Sequence, residues 1–182
     1  MLRLGIVEDE IDDLVSVIRN LMALDRSRNE FEIVPVLLSD PKEYTPERIE
    51  NWVLEYGKKP LSALGMDVSG WPKIEQKGLL CPVDDEHRSK ILHYLSDQKV
   101  NAIICDSWIG KDTALKSKFS DTALKVAGVM LLDAAEKDGY WQGRCWMMTK
   151  YQRDVLEQLF EVGGWHPETF NPLHKFRYMD KS

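Results

Sequence analysis

No stretch of about eighteen consecutive apolar residues occurs in the chain, so no segment reads as a membrane-spanning helix. The start, MLRLGIVEDE, lacks the basic segment and long apolar stretch of a secretory signal and runs directly from apolar residues into acid, so the expected compartment is the cytoplasm. Basic charge is also in short supply. Lys and Arg number 24 against 30 Asp and Glu, a net charge of -6, without the clustered cations that neutralise phosphodiester backbones. Neither nucleic acid nor a membrane is an expected partner. The cysteines, Cys81, Cys105 and Cys145, show no CxxC spacing, and two of them lie in apolar segments where a thiol acts as a small hydrophobe. A reducing environment fits. His87, His93, His166 and His174 form neither an HExxH pattern nor a Cys/His pairing, which argues against zinc.

What the chain does have is two short apolar runs that end in acid. Leu2, Leu4, Gly5, Ile6 and Val7 lead into Glu8-Asp9-Glu10, and Val100, Ala102, Ile103, Ile104 and Cys105 lead into Asp106. Each is too short for a helix and reads as a buried strand. In an open parallel sheet, ligands gather outside the carboxyl ends of strands. Neighbouring strands would bring Glu8, Asp9 and Asp106 to one point. Carboxylates crowded in this way repel one another unless a cation lies between them, and oxygen ligands suit Mg2+.

Between these runs the chain alternates. Ile11 to Asp25 places Ile11, Leu14, Val15, Ile18, Leu21 and Met22 on one helical face, with Asp12 and Asp13 in the favourable first turn. Phe31 to Leu38 reads as a strand, with Pro35 marking an edge or bulge. Thr45-Pro46 starts a helix that runs to about Tyr56. The following GKKPLSALGMDVSGWPKIEQKG is rich in Gly, Pro and Lys and reads as a loose connection, a lid or a contact surface. Regular structure resumes with a helix over Asp84 to Gln98, a helix over Asp121 to Lys137, a strand over Arg144 to Met148 closed by Thr149, and a helix over Gln152 to Val162. A last short strand is expected around Glu168 to Phe170. The pattern predicts a single domain over residues 1–182, an α/β fold with a doubly wound five-stranded parallel sheet.

The residues so placed resemble a response-regulator receiver domain, the phospho-acceptor module of two-component signalling. The resemblance lies in Ile6-Val7-Glu8-Asp9-Glu10, in Asp106 at the end of the third strand, in Thr149 at the end of the fourth, and in Gly128-Val129-Met130-Leu131-Leu132 between them. It implies flavodoxin-like topology with insertions after the second and third strands, at about 40–83 and 111–121. It further implies Asp106 as phospho-acceptor, Mg2+ held by Glu8, Asp9, Asp106 and the backbone carbonyl of Trp108, and Thr149 as the hydroxyl that senses the phosphoryl group. The family closes its fifth strand with Lys-Pro. Here the matching pair is Asn171-Pro172, and neither Lys150 nor Lys175 stands in the Lys position. An Asn amide can donate a hydrogen bond but cannot neutralise charge. The resemblance is thus to an atypical or pseudo-receiver, acting through contacts with a histidine kinase or a downstream effector, with 40–83 carrying part of the binding and no output domain following.

Plainer readings exist for each residue. Asp106 suits a solvated turn, Glu8 and Asp9 suit the start of a helix, and Thr149 suits a helix cap. The alternative from another class is a Mg2+-dependent phosphoryl-transfer enzyme of Toprim-like or phosphohydrolase type. Those enzymes generally need a second acid two residues after the first, where this chain has Trp108. Gly110-Lys111-Asp112-Thr113 is not a phosphate-binding loop, because the Gly required five residues earlier is Cys105.

Overall fold

A computed structural model describes residues 1–24, 30–149, 158–159, 161–162 and 177–180. Strands β1 (Leu2–Glu8), β2 (Phe31–Leu37), β3 (Glu75–Gln76), β4 (Ala102–Asp106), β5 (Cys145–Thr149) and β6 (Arg177–Asp180) form one six-stranded sheet in the order β3-β2-β1-β4-β5-β6. Every neighbouring pair is parallel. Apart from the two-residue edge strand β3, this is the flavodoxin-like order in which the first strand lies between the second and third and all carboxyl ends share one edge.

Burial explains the central strands. β4 is buried at every position and β1 from Leu4 onward, as expected where helices cover both faces of a parallel sheet. On one face, helix α1 (Ile11–Leu24) inserts Ile11, Leu14, Val15 and Ile18 against Ile6, Leu37 and Met148. On the other, α4 (Asp85–Asp97) contributes Ile91 and Leu95, packed with Val7, Ile103 and Met147. Asp84 caps α4 by accepting the His87 N–H at 3.0 Å. All three cysteines are buried thiols, and none is in a disulfide. Among the described residues no helix is long and apolar enough to cross a membrane.

Three elements differ from the sequence expectation. Residues 57–78 are more regular than their composition suggests. Helix α2 (Pro46–Trp52) runs through a π-helical turn (Val53–Lys58) into α3 (Lys59–Ala63), and β3 follows. Pro60 is the second residue of α3, directly after the π-helical turn, and brings no N–H to the ladder there. Gly57 leaves room for the Trp71 ring, which a Cβ there would meet at 2.4 Å. These breaker residues have positions inside the regular structure, and composition alone cannot reveal that.

After one helical turn, α5 (Thr113–Lys116), the single helix expected over Asp121 to Lys137 is two, α6 (Asp121–Lys125) and α7 (Ala127–Lys137), with Val126 out of helical geometry between them. The interruption lets α7 start against the end of β4, where the Gly128 N–H donates to the Ser107 carbonyl at 3.0 Å. The last difference is at the far edge of the sheet. The strand beside β5 is Arg177–Asp180, in register from Trp146↔Arg177 to Thr149↔Asp180. The expected strand at 168–170, Asn171, and most of the expected helix over Gln152 to Val162 lie outside the described residues.

Gly128 sits so close to β4 that a Cβ would lie 1.6 Å from the Asp106 carbonyl oxygen, a backbone atom that cannot rotate aside. Gly128→Ala is therefore expected to destabilise the fold by roughly 1–3 kcal/mol, or more where backbone has to shift. A urea midpoint equal to that of the native protein would contradict this packing.

Candidate functional site

Parallel pairing sets the site. Val7 is in register with Cys105, and Asp106 with Met148, so Glu8 and Asp106 end adjacent strands at the same edge, with Asp9 next in the chain and Thr149 on the far side of Asp106. Glu8, Asp9 and Asp106 each offer an oxygen within 4.8 Å of the other two. Their exposures are 0%, 7% and 3%, so bulk water does little to damp their mutual repulsion.

The surrounding loops answer part of that charge. Glu8 Oε1 accepts the N–H groups of Asp9 at 3.0 Å and Glu10 at 3.4 Å. Asp9 Oδ2 accepts two more, from Gly110 at 2.8 Å and Lys111 at 3.0 Å, which folds the segment after β4 back over the end of β1. Asp9 Oδ1 is buried and has no hydrogen-bond partner among the described residues. An orphaned carboxylate oxygen is unusual in a folded interior, and an incoming cation would satisfy it. The three-carboxylate, all-oxygen donor set fits a hard divalent ion such as Mg2+. A second acidic group, Glu10, Asp12 and Asp13, lies at the more exposed start of α1, where negative charge suits the helix N-terminus.

Thr149 is fully buried at the end of β5, and its Oγ1 accepts from the Ser107 hydroxyl at 2.9 Å. Trp108 is half-buried, with the ammonium groups of Lys111 and Lys125 at 5.3 and 5.6 Å from its ring centroid. A cavity of about 420 Å³ opens beside the cluster, with Asp9, Glu10, Tyr44, Gly110 and Lys111 in its wall.

Ser107 and Lys111 escape sequence reasoning. Ser107 is an ordinary polar residue after a strand, and its link to Thr149 exists only through the pairing of β4 with β5. Lys111 follows β4 in a loop whose return over the acidic edge only the hydrogen bonds to Asp9 reveal. Its ammonium pairs with Glu10 Oε2 at 2.8 Å. Burial works to lower the Lys111 pKa, but the Glu10 hydrogen bond and the carboxylates of Asp9, Asp106 and Glu10 outweigh it and hold the group above its ordinary 10.5.

Fold and site together define an all-parallel α/β domain with a buried acidic cluster at its carboxyl edge. Compared with family models, with curated proteins and with solved structures, the chain matches none.

A lysine whose pKa is raised on folding contributes stability that is complete below its unfolded value and is lost as pH climbs through the folded one. Lys111→Met is therefore expected to be less stable than the native protein near neutrality, with the gap closing above pH 10.5. Urea midpoints measured from neutral to strongly alkaline pH test this. A gap that holds or widens in alkali would show that the charge of Lys111 does not stabilise the fold.

Proposed function

We propose that the protein is an atypical receiver-like signalling protein that binds Mg2+ at Glu8, Asp9 and Asp106 and accepts a phosphoryl group on Asp106. The observation that carries this reading is the buried Asp9 Oδ1, without a hydrogen-bond partner among the described residues, inside a three-carboxylate cluster at the carboxyl edge of the sheet. A bound Mg2+ would neutralise phosphoryl oxygens and so lower the repulsion that an anionic donor meets.

The chain's own groups supply the rest. A carboxylate oxygen of Asp106 attacks the phosphorus of a phosphohistidine or a small phospho-donor. The P–N or P–O bond of the donor breaks, its electrons leave with the donor, and an acyl phosphate forms on Asp106. The Gly110 and Lys111 amides hold Asp9 in place beside it. Thr149 is the nearest hydroxyl on the next strand, and turning toward a phosphoryl oxygen would cost it the Ser107 bond. That exchange would be the first step of a conformational signal, because only a differential interaction shifts a two-state equilibrium.

This reading also moves the family's lysine role. The strand opposite Thr149 ends at Asp180, and the next residue in the chain is Lys181, itself outside the described residues. Lys181 rather than Asn171 is therefore the residue proposed to meet the phosphoryl charge. Output would pass to a protein partner, a histidine kinase upstream or an effector downstream, with residues 40–83 as part of the contact surface. The compartment this implies is the cytoplasm.

Incubation with Mg2+ and an acyl phosphate or phosphoramidate is expected to add a single phosphoryl group to the native protein and none to Asp106→Asn, as read by intact mass. Lys181→Ala should still take up the group but lose the accompanying change in amide shifts along β5 and α7. A native protein that stays unmodified in excess donor and metal would refute phospho-acceptor chemistry. An adduct that persists in Asp106→Asn would place it on another residue.

A further inference from the structure

Lys111 is engaged at both ends. Its backbone N–H is bonded to Asp9 Oδ2, while its ammonium is bonded to Glu10, the acid next to the buried cluster but not part of it. The side chain lies near the Trp108 ring and in the wall of the same cavity as Asp9. A cation is thus held at the rim of a site that itself attracts cations. The arrangement leaves Asp9 Oδ1 open although a lysine stands within electrostatic reach of it.

Resting on the Mg2+ site proposed above, we propose that Lys111 sets how tightly that site takes a divalent cation, and that Glu10 is a positioning residue holding the Lys111 ammonium at the rim. Two physical effects have the same sign. The lysine charge lowers the negative potential that draws a metal ion to Glu8, Asp9 and Asp106. Released from Glu10, the ammonium can also move onto those carboxylates and compete for them directly. Lys125 supplies an internal comparison, since it lies at a similar distance from Trp108 but is tied to Asp121 on α6 at 2.6 Å.

The test is a Mn2+ titration of the full chain at fixed ionic strength, followed by water-proton relaxation. Lys111→Gln is expected to bind Mn2+ about tenfold more tightly than the native protein. Lys111→Arg should restore near-native affinity, and Lys125→Gln should change it by less than about twofold, because its ammonium is tied to Asp121 on α6 rather than to the acid next to the cluster. Glu10→Gln should weaken binding in the native background and have a smaller effect when combined with Lys111→Gln, because its influence runs through the lysine.

Native protein that binds Mn2+ with an affinity unchanged by Lys111→Gln would overturn the role of Lys111 and leave the metal site standing. Failure of both native protein and Lys111→Gln to bind would overturn the role and the metal site together. A Glu10→Gln loss of equal size in both backgrounds would show that Glu10 acts by its own charge, and would overturn its positioning role.

Discussion

The confinement of three carboxylates to one buried point is the constraint on which the carboxyl edge of this protein depends. Glu8 and Asp106 end adjacent parallel strands, and Asp9 follows directly, so the chain cannot separate them without breaking the register of the sheet. Buried like charges are costly, and several features near them reduce that cost. Four backbone N–H groups point at Glu8 and Asp9, and Lys111 stands beside them with its charge held in place by Glu10. A divalent cation would complete the compensation by meeting the oxygen left over on Asp9.

The same edge controls the packing around it. The segment after β4 has to fold back so that the Gly110 and Lys111 amides reach Asp9, and this takes the chain across the top of the sheet before α6 begins. The helix then breaks at Val126 and restarts with Gly128 against the Asp106 carbonyl. Asp106 is thereby touched from the β1 side by the carboxylates and from the α7 side by backbone. Ser107, one residue further, links this point to Thr149. A change at Asp106 has short physical routes to both α7 and β5.

Much of this was legible in the sequence because parallel sheets leave strong marks. Fully buried strands read as short apolar runs, and polar residues at their ends fall on one edge, which is why Glu8, Asp9, Asp106 and Thr149 could be named as neighbours. Lys111 and Ser107 could not, because they act through pairings between segments far apart in the chain and belong to no periodic pattern. The Gly57 and Pro60 region misleads for a different reason. Its breaker residues are placed where a π-helical turn meets Trp71 and where a helix begins, so a composition reading counts them as loop. At the carboxyl terminus, Asn171-Pro172 draws the eye as the closing pair. Strand pairing instead gives the last position to Arg177–Asp180, a segment with little apolar alternation to announce it.

The central claim is that Glu8, Asp9 and Asp106 form a divalent-cation site, and the most direct measurement is anomalous diffraction from crystals of the protein soaked in Mn2+. The expected result is a single strong peak within bonding distance of carboxylate oxygens from all three residues, with Asp9 Oδ1 among them. A peak confined to Glu10, Asp12 and Asp13 at the start of α1, or none at the strand ends while the metal is in excess, would contradict it.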